Sequence, residues 1–125
     1  MTVLVVLHSL IRWLVLAAGA VAIIRAAWGW FGTLRFARSD DLLGSAFTGL
    51  VDLNVLFGVV LLVLVWGTPD RPTLWHPLTM ILAAVVAHGA RMVGRRRGVR
   101  ARHLFQGAGF LVSFGLILVG IQFVT

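Results

Sequence analysis

Four near-continuous apolar stretches divide the chain, at about 3–26, 42–66, 75–93 and 103–124, and polar residues gather between them rather than alternating within them. A helix needs roughly 20 residues to cross a hydrocarbon core roughly 30 Å thick, and each stretch is near or above that length. The absence of period-two alternation excludes the strands of a membrane barrel. In lipid, an unpaired backbone N–H or C=O costs several kcal/mol, so runs of this kind must be helical. The pattern predicts an all-α integral membrane protein, one domain over residues 1–125. The short connections favour an up-down-up-down four-helix bundle.

Local signals refine the ends. Trp28, Trp30 and Phe31 suit a membrane–water interface after the first stretch, with Gly29 and Gly32 loosening its end. Ser39, Asp40 and Asp41 are N-cap-type residues for the second helix. The turn 68–73 carries Pro69 and Pro72 and is expected only to join antiparallel neighbours. Pro77 falls in the first turn of the third helix, where its missing N–H is harmless. Gly94 and Gly98 mark the break before the fourth. Gly44, Gly49, Gly58, Gly107, Gly109, Gly115 and Gly120 permit close helix approach, or room for a flat ligand; close packing is the simpler reading. The first stretch lacks a basic leader and is interrupted by His8, Arg12 and Trp13, so it reads as a retained helix rather than a signal peptide.

Composition agrees with the pattern: 60% of residues are hydrophobic and 12% charged, too apolar for a soluble domain of this size. The net charge of +7 does not suggest nucleic acid, because the basic residues form no soluble face with stacking aromatics. They lie between helices. Arg25, Arg35 and Arg38 follow the first span, and Arg91, Arg95, Arg96, Arg97, Arg100 and Arg102 follow the third, whereas the connector 67–73 holds only Asp70 and Arg71. The positive-inside rule therefore puts loops 25–41 and 91–103 in the cytoplasm and Met1 and Thr125 outside. The arginine clusters also suit anionic lipid head groups. The chain has no cysteine, which removes disulfides, iron–sulfur clusters, thiolate metal sites and covalent haem attachment.

An ionisable side chain within a span costs on the order of 2.5–3.5 kcal/mol on insertion scales, so each one needs a reason. His8 and Arg12 lie four residues apart on one face of the first helix; Asp52 and Asn54 lie inside the second. Arg12 and Asp52 fall at comparable depth, and an ion pair between them would neutralise both. Alternatively, Arg12 meets a propionate or a quinone oxygen and Asp52 handles protons. All four histidines lie in or beside spans: His8 and His76 toward the outer face, His88 and His103 toward the cytoplasmic face. That division suits two bis-His haems, one per leaflet, because neutral imidazoles on facing helices can hold a flat macrocycle between them. The twelve residues from His76 to His88 turn the second ring roughly 120° from the first at about 100° per residue. The two sites would therefore use different faces, with His76 toward His8 and His88 toward His103. The plainer alternative is interfacial histidines and local backbone hydrogen bonds.

The segments His8-Ser9-Leu10-Ile11-Arg12-Trp13, Asp52-Leu53-Asn54-Val55-Leu56-Phe57-Gly58, His76-Pro77-Leu78-Thr79-Met80 and Ala87-His88-Gly89 together resemble a group of small bacterial four-helix membrane proteins labelled cytochrome b. The resemblance runs over essentially the whole chain. It implies a multi-pass protein of the bacterial inner membrane that carries electrons through one or two b-type haems. It also implies that His8, His76, His88 and His103 are candidate iron ligands; Met80, on the same helical face as His76, is a lesser candidate. Quinone is a possible second cofactor. Partners would be electron-transfer proteins or further copies of the chain, and no nucleic acid is expected. Such a chain is a carrier rather than a stand-alone catalyst. Two rivals are a haem-free anchor or assembly subunit of a larger complex and, less well supported, a proton-linked carrier using Asp52, Asn54 and the histidines. Discontinuous spans, which usually mark carriers, are missing.

Overall fold

The computed structural model describes residues 2–32 and 35–124. Met1 and Thr125, the termini expected outside, and Thr33 and Leu34, within the expected loop 25–41, lie outside the described residues. The described residues form four α-helices: α1 (Thr2–Gly32), α2 (Arg38–Val65), α3 (Trp75–Gly94) and α4 (Val99–Gln122). All four are long and apolar enough to cross a membrane.

The helices outrun the apolar stretches at the arginine-rich end. α1 continues through Trp28, Trp30 and Gly32, and α2 and α4 begin at Arg38 and Val99. The lipid boundary does not end a helix whose backbone bonds are internally satisfied, so most of the expected arginine loops are helical. Asp40 is not the N-cap of α2. That position falls to Ala37, whose N–H donates to Asp40 Oδ2 at 2.8 Å, the reciprocal half of a capping box. Pro77 sits within the first turn of α3, as its chemistry allows.

α1 packs against α2 and α4, and α3 against α2 and α4. Residue numbers fall on one helix as they rise on its neighbour. Along α1 and α2 the contacts run His8–Gly58, Gly19–Phe47 and Arg25–Asp40; along α3 and α4 they run Met80–Gly120, Ala83–Ser113 and Ala90–Gly109. The core between the helices contains Ile11, Val15, Ala22, Val51, Ala83, Ala87 and Ile117, with Phe47 and Phe110 tilted against each other at 4.7 Å between ring centroids. Large apolar side chains such as Leu10, Leu14, Val63, Val85 and Leu111 point away from the bundle. With lipid outside, burial of apolar surface cannot hold the helices together; close packing and interhelical hydrogen bonds must. Gly109 provides the first, since a Cβ there would overlap Ala90 Cβ. Ser113 provides the second: its buried hydroxyl donates to the Ala83 carbonyl at 2.8 Å.

The arginine-rich end is closed by a polar knot. Arg25 Nε meets the buried Asp40 at 2.8 Å, Arg91 and Arg102 converge on Asp41 at 2.9 and 3.4 Å, and Gln106 donates to the Asp40 carbonyl at 3.2 Å. All four helices contribute.

Candidate functional site

At the opposite end, beside the turn joining α2 to α3, the helices separate around a cavity of about 500 Å³. Ligand and cofactor sites span roughly 300–1,000 Å³. The walls are mostly aliphatic, including Val15, Val51, Val55, Leu62, Ile117 and Ile121, with a few polar groups: His8, Arg12, Asn54, Asp70 and His76. Asp70 and Pro72 come from the turn, so that segment does more than connect two helices. Met80 also lines the cavity.

His8 and His76 are held in the same way. His8 Nδ1 lies 3.1 Å from the backbone oxygen of Asn54, and His76 Nδ1 lies 2.8 Å from that of Gly120. A carbonyl oxygen only accepts, so Nδ1 carries the hydrogen in both rings and Nε2 keeps its lone pair. Neither Nε2 has a hydrogen-bond partner among the described residues. An imidazole fixed through Nδ1 to a backbone carbonyl is the usual posture of a metal-ligating histidine, because the outer bond sets the tautomer and raises ligand basicity.

Local sequence explains both anchors. The Asn54 carbonyl lies one helical turn before Gly58, and a Cβ at Gly58 would sit 3.1 Å from His8 Cε1; glycine lets the ring approach the helix backbone. Gly120 lies in the last turn of α4, where carbonyls lack full intrahelical partners and can accept a bond from outside. The buried Oδ1 of Asn54 lies beside the His8 ring.

The other expected residues lie elsewhere. Asp52 does not pair with Arg12. It is two residues before Asn54, about 200° around the helix, so when Asn54 meets α1 the carboxylate of Asp52 turns to α3. There its Oδ2 lies 2.6 Å from His88 Nε2. Arg12 stays in the cavity wall, its guanidinium carbon 5.3 Å from the Trp13 ring centroid. His88 and His103 are not brought to one site: His88 is turned to α2, whereas His103 is buried against Phe36, 5.0 Å between ring centroids, and against Gly29 of α1. Among the described residues no three histidine, aspartate or glutamate side chains cluster as a metal site would require; a haem needs two axial ligands and gains its remaining four from the macrocycle.

His8, His76 and Arg12 were legible as polar intrusions in apolar stretches. The buried partners Arg25 and Asp40, and the role of Asp70 in the cavity, were not. Arg25 looked like part of a topogenic cluster and Asp70 like a turn residue. Comparison of the chain with known protein families, curated proteins and solved structures finds no significant match.

Proposed function

We propose that this chain is a b-type membrane cytochrome that carries electrons through one haem, held between His8 and His76 in the cavity beside the α2–α3 turn. The observation that carries the reading is the shared posture of the two imidazoles. Both line one cavity, both spend Nδ1 on a backbone carbonyl, and both retain a free Nε2.

The donor set fits the group. Two neutral imidazoles favour low-spin iron, and aliphatic walls provide the low dielectric and water exclusion that tune its potential. When bound, haem supplies a reversible one-electron couple. Arg12, in the same wall, would balance the charge of a carboxylate. Met80 is near enough to His76 on α3 to pack against the cofactor. One haem is the proposal rather than two, because His88 is engaged by Asp52 and His103 is packed against Phe36 and Gly29.

In this reading the helices run up-down-up-down in a bacterial inner membrane. The arginine-rich end is cytoplasmic by the positive-inside rule, and both termini and the haem lie at the outer side. The chain would pass electrons to and from partner proteins or the lipid phase.

A reduced-minus-oxidised visible spectrum of the detergent-purified protein, with haem extraction for stoichiometry, tests the proposal. A low-spin b-type spectrum at one haem per chain, lost in both His8→Ala and His76→Ala but kept in His88→Ala, is expected. Colourless protein after expression with ample haem would instead favour a haem-free anchor subunit.

A further inference from the structure

The pair Asp52–His88 has no part in the cavity. Asp52 Oδ2 and His88 Nε2 are 2.6 Å apart, and the two side chains are 47% and 48% exposed on the outside of the bundle. Asp52 is near the midpoint of α2, and His88 is six residues from the end of α3, about 9 Å along its axis. A hydrogen-bonded carboxylate and imidazole therefore open toward lipid within two spanning helices, where polar groups normally turn inward.

The chemistry of the pair is specific. The Asp52 carboxylate accepts from His88 Nε2–H, which leaves Nδ1 as an acceptor; Nδ1 makes no hydrogen bond among the described residues. Such a ring takes a hydrogen bond from a hydroxyl, and after protonation, with Asp52 balancing its charge, donates one to a carbonyl. The pair can thus hold both the hydroxyl and the carbonyl form of one molecule. Beside it, Ser45, Gly49 and Asp52 follow one another along α2 at helical spacing, and a Cβ at Gly49 would meet nothing within 4 Å. Leu56, Val85 and Met92, each more than half exposed, stand around this open ground. The open space over Gly49 would admit a flat ring whose oxygen meets His88, with an aliphatic tail left in lipid.

We infer that the Asp52–His88 pair is a binding site for the head group of a membrane quinol or quinone, entered from the lipid phase. The neighbouring residue Val51 lines the histidine cavity, so only the thickness of α2 separates the two sites. Binding itself does not depend on haem; only the use of the bound quinol as an electron donor rests on the cytochrome reading.

The test is binding of decylubiquinol and of decylubiquinone to the detergent-purified full chain by equilibrium dialysis, run also on His8→Ala protein so that haem content does not enter the result. Binding of both forms is expected, at least ten-fold weaker in His88→Ala and in Asp52→Ala. Gly49→Leu should weaken it similarly while leaving the melting temperature unchanged, because the added side chain meets only open space. Decanol, which offers a hydroxyl and a chain without a ring, should not compete. The inference is overturned if the wild type binds neither form, if His88→Ala and Gly49→Leu bind as the wild type does, if decanol competes at equal concentration, or if Gly49→Cys cross-links efficiently to a second copy, which would make the face a protein interface.

Discussion

His76 reaches from the first turn of α3 to the last turn of α4, where its Nδ1 donates to the Gly120 carbonyl at 2.8 Å. Gly120 is packed under Met80 as well; a Cβ there would lie 2.7 Å from Met80 Cε. A branched side chain at residue 120 would have to displace Met80 and crowd the end of α4 whose carbonyl holds His76. On the proposed haem site, Gly120→Val should retain less than half the haem of the wild type and shift the potential of what remains. Haem stoichiometry and a redox titration measure both.

The corresponding position for His8 is Gly58. Since a Cβ there would stand 3.1 Å from His8 Cε1, Gly58→Ala should be tolerated with a small shift of the ring, whereas Gly58→Val should displace His8 from the Asn54 carbonyl and, on the proposed haem site, reduce haem occupancy at least five-fold. Equal occupancy in the valine variant would separate His8 from the cofactor.

Asp40 does two jobs at the start of α2: it accepts the Ala37 N–H and pairs with Arg25, its own side chain only 2% exposed and that of Arg25 32% exposed. Losing an N-cap contact costs about 1 kcal/mol, and stranding a buried charge costs about 3–5 kcal/mol, less where the surviving partner reaches water. Asp40→Ala should destabilise the folded protein by about 2–4 kcal/mol, read as a lowered midpoint of denaturant unfolding in detergent. In a double-mutant cycle with Arg25→Ala, the coupling should exceed about 1 kcal/mol.

His103 fills the space above Gly29, where a Cβ would overlap its ring. Overpacking a filled site typically costs about 1–3 kcal/mol. Gly29→Ala should lower the melting temperature, and the second change His103→Ala should recover part of that loss. If Gly29→Ala alone is neutral, the ring has room that the packing denies it.

Orientation is checked by fusions at the C-terminus. If the arginine-rich ends of the helices are cytoplasmic, as the positive-inside rule proposes, alkaline phosphatase joined after Thr125 should be active and green fluorescent protein dark. Replacing Arg95, Arg96 and Arg97 by Gln should weaken this preference, seen as a mixed signal from the two reporters.

The sequence by itself determined the number of helices, their membrane-spanning character and the residues that call for explanation. Long apolar runs leave the backbone one way to satisfy its hydrogen bonds in lipid, and an ionisable group within them is costly enough to be conspicuous. The four histidines, Arg12, Asp52 and Asn54 were all visible on that ground. Their pairing was not, because it depends on how each helix is rotated about its axis. Two residues along α2 separate Asn54, which meets α1, from Asp52, which meets α3, whereas depth alone allowed Asp52 to pair with Arg12. Shared placement toward the cytoplasmic face likewise suggested His88 with His103, yet His88 turns to Asp52 and His103 packs against Phe36 and Gly29. The tertiary structure also decided which nitrogen of His8 and His76 is spent on a carbonyl and which is left free. No residue identity encodes that choice: it arises where one helix brings a ring to a backbone carbonyl of another.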